Sequence, residues 1–84
     1  MFEGNCLVIN VGVTVEGRTE VKLRPQPATA TFTADQWFLG NAKVSREVLA
    51  IALAAMTSTK VVFCAIPDEA KAYSELTRFI LRND

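Results

Sequence analysis

Histidine is missing from these 84 residues. Its absence removes the commonest general base and the commonest metal ligand. Cysteine occurs only at Cys6 and Cys64, too few thiols to complete a tetrahedral zinc site without other ligands nearby. Neither charge sign is in excess, since nine basic and nine acidic residues cancel. The basic footprint of a general nucleic-acid binder is therefore not there, and no run of like charges marks an acidic or basic tail. The longest apolar run, Val48 to Met56, falls far short of the ~20 residues that a membrane-spanning helix takes. Membrane insertion is not expected. The glycine-bearing turns Glu16-Gly17-Arg18 and Leu39-Gly40-Asn41 do not form a phosphate loop.

Catalysis is short of parts for the same reasons. Ser58, Thr59 and Cys64 have no histidine to activate them. Asp68 and Glu69 are adjacent carboxylates, but no surrounding residues tune them as an acid/base pair, and a soluble loop is the plainer reading. The expectation is a protein without catalytic residues, metal or cofactor. Met1-Phe2-Glu3-Gly4-Asn5 lacks the basic start and apolar stretch of a signal peptide. A cytoplasmic chain is expected as written, or a secreted one if Met1 restarts a mature form. Cys6 and Cys64 each lie in an apolar run. They would be buried thiols in a reducing compartment, or one disulfide in an exported protein.

Half of the residues are hydrophobic, which excludes a disordered chain. Residues 1–84 make one domain. A domain of this size has marginal stability on its own, and oligomerisation is a common support.

Residues 6–15 alternate, with Ile9, Val11, Val13 and Val15 on one side and Asn10, Gly12 and Thr14 on the other. That is the period of a half-buried strand. Glu16-Gly17-Arg18 turns the chain, and 19–24 alternates again, predicting an antiparallel hairpin. Pro25 and Pro27 end the second strand. Residues 28–33 predict a third strand, and Trp37-Phe38-Leu39 a short fourth or a continuation. A helix is expected over 42–57, with Asn41 or Ser45 as its cap and Glu47 in its first turn. No glycine closes it, so its end is expected to fray. Residues 61–66 are fully apolar and must be a central strand. The segment 67–73 reads as a polar loop and 75–81 as a last strand, with a helix over 68–81 as the competing reading. The order β-β-β-(β)-α-β-β suits a small OB-like Greek-key barrel with a helix plugging one side. An α+β sandwich is the alternative.

The helix is the most informative element. At 100° per residue, Val44, Val48, Ile51 and Ala55 share one face, and Leu49, Leu53 and Met56 a second. Their combined arc spans roughly 200°, about twice the ~100° stripe of a surface helix. Ala50 and Ala54 occupy the remaining side and admit a close neighbour. Leu49, Leu53, Met56, Ala50 and Ala54 are therefore the expected subunit contact. The alternative is a helix sunk deep into its own sheet.

The segment Ser45-Arg46-Glu47-Val48 through Thr59-Lys60-Val61-Val62-Phe63-Cys64 resembles the helix-to-strand unit of the B subunits of bacterial toxins with one A and five B chains. Trp37-Phe38-Leu39 before it and 73–81 after it stand in the same element order as in cholera-, pertussis- and subtilase-type B subunits. The resemblance implies an OB-fold pentamer with helices lining a pore, a cell-surface glycan as ligand and an A-type partner chain. The chain departs from cholera-type subunits after Cys64, where Ala65 and Ile66 stand in place of a tryptophan.

Three residues are candidates for ligand contact. Trp37, the lone tryptophan, can stack on a sugar or a base, or be core beside Phe38 and Leu39. Tyr73 can offer a ring face and a hydroxyl to a small polar ligand, or simply pack with its hydroxyl wet. Arg24 can clamp an anion bidentately, or be a solvated edge charge. The function expected is a non-enzymatic, ring-forming binding module for a glycan or another small polar molecule. The alternatives are an intracellular sequestering protein of a phage or mobile element, and a purely structural assembly protein.

Overall fold

The computed structural model describes residues 1–26 and 35–82. Five strands form one antiparallel sheet in the order β3-β2-β1-β4-β5. They are β1 (Phe2–Val13), β2 (Thr19–Pro25), β3 (Gln36–Leu39), β4 (Val62–Ile66) and β5 (Arg78–Leu81). A 3-10 turn (Ala42–Val44) leads into the helix α1 (Ser45–Ser58), which lies between β3 and β4 in the chain. The sequence-predicted strand 28–33 lies outside the described residues.

The long strand β1 serves two partners. Its first part pairs with β4, from Phe2 opposite Ile66 to Cys6 opposite Val62. Its second part pairs with β2, from Cys6 opposite Pro25 to Val13 opposite Thr19. The register slips between Val8 and Asn10, so Ile9 is a bulge residue. A bulge adds one residue to one strand and reverses its inside–outside parity. Cys6 and Val8 face the core before it, and Val11 faces it afterwards. The strict alternation expected across 6–15 therefore fails. Val13 and Val15 are exposed, because β1 ends at Val13 and the turn closes beyond the sheet.

The hairpin turn is held by main-chain bonds from Thr14 N to Arg18 O (2.8 Å) and from Gly17 N to Thr14 O (2.9 Å). Gly17 sits at φ +83°, where a side chain would be strained. Phe38, Leu23, Val21, Val62, Ile66 and the two cysteines are completely buried and make the core with Ala52 of α1. Leu76 joins them from the loop before β5.

The sheet is not closed into a barrel, which corrects the expectation of a barrel. Its edges, β3 and β5, have four residues each. Across them, among the described residues, there is a single parallel bridge, Leu39 to Glu75. The chain spends 67–77 in turns and in delivering Leu76 to the core, and β5 begins only at Arg78. By then it has turned to pair with β4. The segment 68–81 is not a helix; its ordered end is a strand, shorter than the 75–81 expected.

The placement of α1 follows from small residues. Gly40 ends β3 where an added Cβ would stand 3.0–3.1 Å from three atoms of Val48. Only hydrogen at Gly40 lets the helix come this near. Asn41 caps the 3-10 turn, its Oδ1 accepting from Lys43 N at 2.8 Å. Ser45 is not a cap. Its hydroxyl donates to Gly17 O (2.9 Å), and the buried Thr19 hydroxyl donates to Ser45 O (2.8 Å). These two bonds pin the start of α1 to the β1–β2 turn.

Candidate functional site

The helix divides into a dry side and a wet side. Val48, Ala52 and Ala55 are buried against the sheet, and Ile51 is half-buried. On the opposite side Leu53 is 49% exposed and Met56 38%. Ala50 and Ala54 beside them are exposed, and Leu49 is half-buried. Between Glu47 and Lys60 the helix and its end carry no charge. The chain therefore holds a patch of large and small apolar side chains in water without a charged residue to break it.

A groove of about 470 Å³ opens beside the first turns of α1, between the helix and the segment 75–79. Val44, Val48, Ile51, Leu76 and Phe79 make its apolar lining, and Lys43, Glu47, Glu75 and Arg78 its charged one. Its volume lies within the range of small-molecule sites. Glu75 is already engaged. It accepts from Arg18 Nη2 at 2.7 Å and from Asn41 Nδ2 at 3.0 Å. Arg18 also donates to the carbonyl of Gly40, so one guanidinium ties the hairpin turn, the end of β3 and the rim of the groove together. Helical spacing gives the stripe Val44–Val48–Ile51 but not the groove. The missing half comes from Leu76 and Phe79, whose approach to the helix depends on tertiary folding and has no local signal.

The three ligand candidates lie away from this groove. Trp37 and its strand neighbour Phe38 point to opposite sides, as strand geometry requires. Phe38 is the buried one, and Trp37 is half-buried on the outer side of β3. The Lys22 ammonium stands 5.9 Å from the Trp37 ring centroid, within cation–π reach. Tyr73 is brought near Trp37 through the main chain, its N–H donating to Trp37 O at 2.7 Å. It is half-exposed and takes a left-handed backbone at φ 64°, uncommon for a bulky residue. Arg24 is occupied. Its Nε and Nη2 meet the two Asp35 oxygens at 2.7 and 3.0 Å. That hydrogen-bonded pairing lowers the Asp35 carboxyl below, and raises the Arg24 guanidinium above, their usual ranges. The structure thus joins Trp37 to Tyr73 and sets Arg24 in an ion pair of its own.

Cys6 and Cys64 are free and fully buried. Gly4 lies opposite Cys64, and Cys6 opposite Val62, so the thiols are diagonal neighbours on the inner face of β1 and β4. The adjoining Cys6 thiol, and burial, push Cys64 far above the usual thiol range. A thiol held protonated in this way is a poor nucleophile. Among the described residues no group of three or more cysteine, aspartate or glutamate side chains is placed to hold a metal ion. Among the same residues no helix is long and apolar enough to cross a membrane.

No family model, curated protein or solved structure matches this chain. The reading of its function rests on the residues and their geometry.

Proposed function

We propose that this chain is a non-enzymatic binding module that acts as a homo-oligomer. The observation that carries the proposal is the outer face of α1, where Leu53 and Met56 stand in solvent with Ala50 and Ala54 beside them. Leaving a large apolar side chain in water forgoes roughly 1.5–3 kcal/mol, a sizeable share of what a small domain has in total. A second copy covers such a face at no further expense of sequence. The order of strands and the helix between β3 and β4 support an OB-type arrangement of the toxin B-subunit kind, in an opened form. Trp37 with Lys22 over its ring, and the exposed Tyr73 tied to Trp37 through the main chain, are the residues best suited to a glycan or another small polar ligand. An aromatic face beside a cation and a phenol is the chemistry that takes sugar rings and hydroxyls.

Native mass spectrometry at low micromolar concentration tests the assembly. The expected result is a discrete oligomer. A monomer with a native circular dichroism spectrum would remove the basis of the proposal. A glycan panel read by Trp37 fluorescence tests the ligand. Quenching that persists after Tyr73→Ala and Lys22→Ala would place the ligand elsewhere.

The two buried free thiols favour a second reading, a sequestering protein of a reducing compartment. Two titratable thiols and equal stability in the reduced and the air-exposed protein would support it. A Cys6–Cys64 disulfide found in material folded under air, with higher stability than the reduced form, would refute it.

A further inference from the structure

We infer that residues 67–77 form a strap over the outer edge of β3, and that this strap opens as one unit while the sheet and α1 stay folded. Closed, it satisfies the edge. Tyr73 N donates to Trp37 O, Leu39 N to Ser74 O and Leu76 N to Leu39 O, at 2.7, 3.0 and 2.9 Å. The Gln36 side chain adds a bond from Nε2 to Glu69 O at 2.8 Å. With these main-chain groups taken, β3 is kept from pairing outward, which is how a loop blunts a sheet edge.

The hold on the strap is slight for its length. None of the five strands lies within it, so the ladders of the sheet stay whole when it lifts. Leu76 alone of its residues is buried, while Pro67, Ala72 and Tyr73 are exposed. Few buried apolar contacts mark a unit of low local stability. The charged tie from Arg18 Nη2 to Glu75 Oε2, 2.7 Å long, is exposed, and such a pair contributes little in water. Tyr73 has its backbone in the left-handed region at φ 64°, which a bulky side chain disfavours. Closure therefore keeps a strain that opening releases. Bonds within the strap make it one piece. Lys71 N donates to Asp68 O at 3.2 Å, Ser74 N to Lys71 O at 3.4 Å and Ser74 Oγ to Asp68 O at 2.8 Å. At its far end Thr77 N donates to Ala65 O at 2.9 Å, a hinge that leaves β5 on β4 when 67–76 lifts.

Opening uncovers the edge of β3 and takes Tyr73 away from Trp37. It also removes Leu76, which belongs both to the core and to the lining of the groove, so the groove then reaches into the core. The opening needs neither a ligand nor a second copy.

Native-state amide hydrogen exchange in low urea tests the strap, and β3 supplies the control. The Leu39 amide points out to the strap, whereas the next amide, Gly40 N, points in to Thr19 O at 2.8 Å. The expected result is that Leu39, Tyr73 and Leu76 share one opening free energy and one small urea slope, both below those of Gly40. Leu76→Ala should speed exchange at the three positions by a common factor of about thirtyfold or more. Leu39 exchanging together with Gly40 would overturn a separate opening. Unequal opening free energies at Leu39, Tyr73 and Leu76, or unequal acceleration by Leu76→Ala, would overturn the single unit. If Leu76→Ala does not fold, the wild-type comparison of these three amides with Gly40 decides by itself.

Discussion

Toward the sheet α1 presents Val48, Ala52 and Ala55, all buried; away from it stand Leu53 and Met56, with Leu49 half-buried. Leucine and methionine are on the wet side, whereas the buried positions hold one valine and two alanines, with Ile51 half-buried beside them. In a self-contained domain the order is normally reversed, with the bulky apolar residues filling the core. The small residues on the dry side have a structural reason. They let the helix lie close to the sheet, as Gly40 does opposite Val48. The large ones on the wet side have none within a single copy. The contrast teaches that hydrophobicity alone does not tell which face of this helix is core. Side-chain volume does.

The strongest way to break the comparison is to place the same charge on both faces. Ala52→Asp buries a carboxylate where the residue is completely enclosed. It should destabilise the fold by more than about 3 kcal/mol, because nothing there can pair with it. Leu53→Asp, one position on, should shift the stability of the separated subunit by less than about 1 kcal/mol. Its effect should appear instead as loss of association in native mass spectrometry. Urea denaturation of both variants, followed by fluorescence of Trp37, measures the difference. Two variants with equal loss of stability would mean that the faces are not distinct.

A smaller perturbation acts on the distance rather than the charge. Gly40→Ala places a methyl group 3.0–3.1 Å from Val48 Cβ and both its methyls. Val48 Cβ is fixed to the helix backbone, so the helix must move and cannot simply rotate a side chain away. A loss of about 1–3 kcal/mol is expected, read as a lower midpoint in urea with an unchanged slope. Wild-type stability in Gly40→Ala would show that the small residues on the dry side are not what seats α1.

How far such a fold can be read without coordinates depends on where each signal comes from. The hairpin, α1 and β4 were legible because each is a local pattern: alternation, a long apolar arc, an unbroken apolar run. The bulge at Ile9 was not, since it is a property of the pairing with β2 and leaves no mark in β1 alone. The open edge was not legible either. Whether β5 reaches β3 depends on how many residues the loop before it consumes, and turns at 67–73 with Leu76 in the core consume most of them. At the candidate site the outer helix face was readable from spacing. Of the neighbours Trp37, Phe38 and Leu39, which one is core depended on the register of β3, and it is Phe38.

The last test sharpens the comparison by strengthening the helix without touching either face. Thr59 closes α1 in the left-handed conformation at φ 54°, and Lys60 N donates back to Ala55 O at 3.0 Å. The helix end that was expected to fray for want of a glycine is instead closed by a β-branched residue in a conformation it disfavours. Thr59→Gly should relieve that strain and stabilise the fold by about 1 kcal/mol. The side chain is exposed, and among the described residues its hydroxyl bonds to the preceding carbonyl of Ser58, so little is lost with it. Thermal unfolding measures the gain. If the outer face of α1 serves association and not folding, Thr59→Gly raises the melting temperature and leaves the dissociation constant where it was. Coupled changes in both would show that the helix end and its outer face act as one unit, and the two-face description of α1 would have to be given up.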